Sequence, residues 1–186
     1  AVLRTAPITS CEQSPHRREA RAIKNKTSFG RRLNECLWHS LEVRMLRLLR
    51  AAGADVPEVL AVGEQSFVME YYETEGRAAP RLADLRSELL HCDWILKRTL
   101  WNIKVFFENG VVHGDLSPYN ILYLSPEQIA IIDFPQAVEL KMSALTVDLL
   151  KRDVHNVCSF FRRLGGDCEE EKFLNKLLDK EGNHYC

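Results

Sequence analysis

Three residues in and after the stretch HGDLSPYNILY (113–123) have types and intervals suited to handling phosphate. Asp115 stands two places after His113, Asn120 follows five places on, and Asp133 comes thirteen places after that, closing the apolar run IAII of 129–132. The order acid, amide, strand, turn, strand, acid predicts a hairpin turning at SPEQ (125–128). Such a hairpin would set Asn120 and Asp133 side by side at one end, where an amide oxygen and a carboxylate share a hard divalent cation. Asp115, on the loop before the first strand, would lie nearby without binding metal. Phosphoryl transfer needs this set: one carboxylate to orient or deprotonate the attacking hydroxyl, and oxygen ligands to hold magnesium on nucleotide phosphates. Asn and Asp also cap turns, so the combination points to the chemistry and no single member does. His113 is expected to brace the loop by hydrogen bonding.

Other elements must position these residues. Leu37, Leu41, Met45 and Leu48 form one stripe of a helix expected from Asn34, with Gly53 as its stop. VPEVLAVGEQSFVMEYYE predicts two short strands around a Gly-Glu turn. TEGRAAPRLADL (74–85), rich in Gly and Pro, is expected to be loop-like. A second helix is expected over 93–109, where Trp94, Leu96, Leu100, Ile103 and Phe107 recur at helical spacing and Gly110 ends the pattern. Trp38, Trp94 and Trp101 fall on helical patterns as packing residues. Arg152 and Asp153 are expected to form ion pairs that hold the catalytic loop. The chain starts with a strand fragment, AVLRT, and the basic segment of 12–32 is expected to be a solvated loop.

Composition narrows the class. The 186 residues are 46% hydrophobic and 27% charged, enough for one globular domain or two small lobes, and a net charge of −1 implies no global attraction to nucleic acid or anionic lipid. No run approaches the roughly 18 apolar residues of a membrane span, and no apolar leader is present, so the expected location is cytoplasmic, away from membranes. The six cysteines show no CxxC pair or zinc-ligand spacing and are expected to be free thiols.

HGDLSPYN with DFP at 133–135 resembles the catalytic loop and metal-binding motif of the protein-kinase-like superfamily, and within it the RIO kinases, atypical serine/threonine kinases and ATPases. Ser117 between acid and amide, IIDFPQAVEL (131–140), VMEYYETEGRAAPRL (68–82) and LLKRDVHNVCSFFRRLG (149–165) carry that resemblance, which runs from about Trp38 to Gly165. It implies an α+β, bilobal fold of RIO type: a truncated N-lobe over 1–72, a hinge over 73–84, and a mostly helical C-lobe over 85–186, with ATP and Mg2+ bound between the lobes. Asp115 would be the catalytic acid/base, Asn120 and Asp133 the metal ligands, and Asp133 a nucleophile in an ATPase cycle. Backbone groups of Glu70 and Tyr72 would bind adenine, Ser117 would contact phosphate or the incoming hydroxyl, and Glu42 matches the acid that pairs with the phosphate-binding lysine. The acceptor would be a protein serine or threonine hydroxyl, and the family suggests a ribosomal particle as partner.

The sequence departs from the family at its start. The family's Gly-rich phosphate loop would lie ahead of AVLRT, outside these 186 residues, and Leu3 or Ala1 occupies the lysine position, depending on register, which would leave Glu42 unpaired. The chain is expected to be either the later part of a longer kinase or a short form with damaged nucleotide binding. A pseudokinase scaffold is therefore one alternative. A small-molecule phosphotransferase of the aminoglycoside or choline kinase type is another, opposed by Ser117 and by the short C-terminal portion.

Overall fold

The computed structural model describes residues 4–5, 41–63, 66–74, 76–85, 92–140 and 143–181. The basic segment of 12–32, Leu37, Trp38 and the expected helix start at Asn34 lie outside the described residues, as do Ala1 and Leu3. Contacts divide the chain into two units, one of residues 1–48 and 57–71 and the other of 49–56 and 72–186.

Strands β1 (Arg4–Thr5), β2 (Val59–Val62) and β3 (Ser66–Met69) of the first unit form an antiparallel sheet in the order β1-β3-β2. Val62 faces Phe67 across the β2–β3 hairpin, and the Gly63 N–H closes the turn onto the Ser66 carbonyl at 2.6 Å. Helix α1 spans 41–51. Its buried face differs from the expected stripe: Glu42, Val43, Met45, Leu46 and Leu49 are buried, while Leu48 is 44% exposed. The period is unchanged, since 42, 46 and 49 follow at four and then three residues. The face is turned by one position and takes an acid into it. Gly53 ends the helix as expected, with φ +85° and its N–H bonded to the Arg50 carbonyl.

In the second unit, TEGRAAPRLADL is more ordered than its Gly and Pro content suggests. It carries the antiparallel pair β4 (Glu73–Thr74) and β5 (Arg77–Ala78), with Gly76 at φ +73°, followed by a 3-10 turn at Leu82–Asp84. Helix α2 (Cys92–Glu108) buries Ile95, Leu96, Ile103, Phe106 and Phe107 and packs against α3 (Ala144–Arg163). Ser143 caps α3, accepting the Thr146 N–H at 3.3 Å. Val154, Val157 and Phe161 lie on the buried face of α3. The short pair β6 (Val111–Val112) and β9 (Val138–Glu139) and the hairpin of β7 (Ile121–Ser125) with β8 (Gln128–Ile131) complete the frame around the 113–120 loop.

Cys158 of α3 and Cys168, ahead of α4 (Glu170–Glu181), are joined by a disulfide with Cα atoms 5.5 Å apart. This corrects the expectation of free thiols for that pair. The turn at Gly165 and Gly166 brings together two cysteines whose ten-residue separation has no motif. Among the described residues no helix is long and apolar enough to cross a membrane.

Candidate active site

The loop from His113 to Asn120 takes its shape from α3. Arg152, Asp153 and Asn156 lie within one turn of that helix, on neighbouring positions of its surface. The Asp153 carboxylate accepts the N–H groups of Gly114 at 2.8 Å and Leu116 at 2.9 Å. Arg152 donates to the Gly114 carbonyl, and Asn156 donates to that of Leu116 at 3.1 Å. All four peptide groups of Gly114 and Leu116 thus find side-chain partners on one helix, a complete accounting for a stretch that has no strand ladder of its own. Arg152 and Asp153 do hold the loop, through hydrogen bonds to its backbone; among the described residues they do not form the ion pairs expected from their charges. Asp115, between the two gripped residues, is exposed. Its carbonyl accepts Asn120 Nδ2 at 2.8 Å, which orients the amide of a side chain only 9% exposed.

Register brings the second acid to the same end of the hairpin. Ile121 pairs with Ile131, and the next residue, Ile132, donates its N–H to the Asn120 carbonyl at 2.9 Å. Asn120 and Asp133 therefore sit at the open end of the β7–β8 hairpin, with its turn at the opposite end, as the spacing predicts. His113 Nε2 bonds to the Ile132 carbonyl at 3.1 Å; because a carbonyl only accepts, this nitrogen carries the proton. Nδ1 is buried without a hydrogen-bond partner. Burial lowers the His113 pKa to about 4, against the smaller opposing pull of that carbonyl, Asp133 and Asp115. Phe134 is buried against the rings of Phe106 and His113, with centroids 5.6 Å and 4.6 Å away. His113 thus braces the loop.

Ser117 is half-buried and extended, and its carbonyl accepts the Asn120 N–H at 2.9 Å in the 3-10 turn Pro118–Asn120. The Glu70 N–H bonds to the Glu58 carbonyl at 2.8 Å, and the Tyr72 carbonyl accepts from Ala79 at 3.0 Å. Glu42 is 8% exposed in α1 and is not without a partner, contrary to the expectation that it is left unpaired. Asn120 and Asp133 provide hard oxygen donors. Among the described residues, no group of three or more His, Cys, Asp or Glu side chains gathers as a metal site. Two oxygen donors suit magnesium, which takes one or two carboxylates and completes its shell with phosphate and water.

A cluster of Asp55, Arg98 and Asn102 had no motif to reveal it. At its centre is Asn102, a polar residue at 0% exposure among the apolar residues that α2 buries, a burial that only the structure shows. Trp101, expected as a packing residue, carries the Arg98 guanidinium 4.0 Å from its ring centre.

Comparison with known proteins accords with this geometry. The RIO domain family matches residues 8–173. The chain is 31% identical over 149 residues to the serine/threonine-protein kinase rio1 of Schizosaccharomyces pombe, covering 79% of this chain and 30% of that protein. It is 35% identical over 150 residues to the RIO-type serine/threonine-protein kinase Rio1 of Methanocaldococcus jannaschii, covering 77% and 48%. It is 36% identical over 154 residues to the serine/threonine-protein kinase RIO1 of Chaetomium thermophilum, covering 76% and 29%. The chain thus spans less than half the length of each of these three relatives. With the match running through both units and across the loop, hairpin and α3, the chain belongs to the RIO domain family, of protein-kinase-like α+β fold.

Proposed function

We propose that this chain acts as a RIO-type serine/threonine kinase or ATPase that moves the γ-phosphoryl group of ATP. The observation that carries the reading is the exposed Asp115 set between two residues whose peptide groups are all bonded to α3. A carboxylate presented on so constrained a backbone pays little to reach its working position. In the kinase reaction a serine or threonine hydroxyl oxygen attacks the γ-phosphorus and the bond to the β–γ bridging oxygen breaks. ADP leaves, and the hydroxyl proton passes to Asp115. In the ATPase cycle an Asp133 oxygen attacks instead, ADP leaves, and water then cleaves the acyl phosphate to release phosphate and restore the carboxylate.

The Asn120 amide oxygen and the Asp133 carboxylate would hold Mg2+, which would supply neutralising charge to the phosphates. With Nδ2 engaged by the Asp115 carbonyl, the amide oxygen of Asn120 would be the atom that serves this task. Ser117 would contact phosphate or the incoming hydroxyl, and backbone groups of Glu70 and Tyr72 would serve the adenine. The acceptor is a protein hydroxyl, and a ribosomal particle is the partner that family resemblance suggests.

The test is ATP hydrolysis and autophosphorylation with magnesium on the full 186-residue chain. Asp115→Ala should lower kcat by about 10²–10⁴, the contribution of a positioned proton acceptor, and Asp133→Asn should abolish magnesium-dependent turnover. Absence of both turnover and magnesium-dependent nucleotide binding in the wild-type chain would overturn the reading and favour a scaffold.

A further inference from the structure

We propose that Asp55 is a positioning residue for Asp133: its side chain, clamped by Arg98 and Asn102 of α2, fixes the carbonyl to which the last residue of β8 is tied. The inference rests on the reading of Asp133 as a magnesium ligand. Asp55 lies in the loop after α1, within the second unit. Its carboxylate accepts Arg98 Nε at 2.6 Å, Arg98 Nη2 at 2.8 Å and Asn102 Nδ2 at 2.7 Å. Its own N–H donates to Asn102 Oδ1 at 2.8 Å. Asn102 Nδ2 also donates to the Arg98 carbonyl at 3.0 Å, so this buried amide has partners for both its oxygen and its nitrogen. The two-pronged bond to Asp55 raises the pKa of Arg98, which stays cationic.

The Asp55 backbone is therefore pinned to α2 through both its N–H and its side chain, and only its carbonyl is turned elsewhere. That carbonyl accepts the Ile131 N–H at 2.7 Å. Ile132 follows, bonded through its N–H to Asn120 and through its carbonyl to His113. Asp133 comes next, with φ +72°, the one positive value among the described non-glycine residues. That conformation is uncommon outside glycine, although aspartate reaches it more readily than most residues, and it is held where the surroundings fix the backbone. Hydrogen bonds on Ile131 and Ile132 contribute to that constraint, and Asp55 provides the one at Ile131. Loss of a partner that orients a metal ligand from behind typically costs roughly 10–100-fold in metal affinity.

The experiment uses the full chain with Asp55→Ala and the milder Arg98→Lys, which keeps the charge and removes the two-pronged geometry. Residue-resolved hydrogen exchange without nucleotide should show the Ile131 and Ile132 amides exchanging about tenfold faster in Asp55→Ala, with Gly114 and Leu116 unchanged. Magnesium titration of binding to a non-hydrolysable ATP analogue should shift about tenfold toward higher magnesium. Binding of the analogue in EDTA should not move. Arg98→Lys should give smaller changes in the same direction, and it decides the matter if Asp55→Ala does not fold. Exchange that is unchanged at Ile131 and Ile132, or that rises equally at Gly114 and Leu116, overturns the proposal. So does an unshifted magnesium dependence. Should the wild-type chain show no magnesium-dependent binding, the reading of Asp133 as ligand fails, and local exchange alone then decides whether Asp55 holds this segment.

Discussion

His113 and Asp153 both bond to the backbone around HGDLSPYN and the hairpin that follows it, and burial moves their protonation equilibria so that their effects on stability oppose each other. Burial raises the Asp153 pKa from 3.8 to about 6, outweighing the Leu116 and Gly114 N–H bonds and the charge of Arg152. The folded state therefore holds this proton more tightly than the unfolded chain does. Asp153 thus lowers stability by about 3 kcal/mol as pH rises from about 4 to about 6. His113, with its pKa lowered from 6.5 to about 4, resists protonation in the fold. Its contribution is present above the unfolded value and is lost, again by about 3 kcal/mol, as pH falls from 6.5 toward 4. The two slopes nearly cancel in the wild type. Relative to it, Asp153→Asn should gain stability with rising pH across this window, and His113→Gln should lose it. Urea unfolding at intervals from pH 4 to 6.5 measures both slopes, and profiles that run parallel to the wild type would contradict the assignment.

Among the connections between elements, the sharpest constraint falls where the loop after β6 passes the turn that follows Asp133. Gly114 has φ +80°, and a Cβ there would lie 2.6 Å from the Gln136 carbonyl oxygen, so both conformation and space require glycine. Gly110, at the end of α2, has φ +73° but open space around it. Gly114→Ala should therefore cost about 3 kcal/mol, from conformation and clash together, against about 1 kcal/mol for Gly110→Ala from conformation alone. Equal denaturant midpoints for the two variants would refute the close approach. Elements of this kind were legible in sequence where the information is local. The β7–β8 hairpin follows from the interval between Asn120 and Asp133, and α2 from its apolar period. The face of α1 was not legible, because Glu42 takes a buried position that polarity would assign to solvent. The β4–β5 pair was hidden in a Gly- and Pro-rich stretch whose Gly76 makes the turn. The Asp55 cluster joins residues 43 and 47 positions apart, each of a common type, and no local pattern encodes such a meeting.

At the scale of the whole molecule, the candidate residues are divided between the two units. Glu42 and Glu70 belong to the first, while Tyr72, Asp115, Ser117, Asn120 and Asp133 belong to the second. The proposed magnesium ligands and the proposed catalytic carboxylate are thus carried by one unit, and their roles can be separated by the response of the full chain to ligand. Anything that binds only the folded chain stabilises it in proportion to the logarithm of one plus the ratio of its concentration to Kd, about 2.7 kcal/mol at roughly 100 times Kd. For a chain of this length that corresponds to a rise in Tm of roughly 5–10 °C. A non-hydrolysable ATP analogue with magnesium should produce this rise, and EDTA should remove the magnesium-dependent part. Asp133→Asn should lose that part even with magnesium present, because a neutral amide replaces the charged ligand. Asp115→Ala should keep it, since in the proposed reaction Asp115 acts on the hydroxyl proton and not on the cation. Thermal unfolding of the three proteins with and without magnesium checks the division of labour. Equal loss of the increment in Asp115→Ala and Asp133→Asn would mean that both acids serve the cation, and the proton would then need another acceptor.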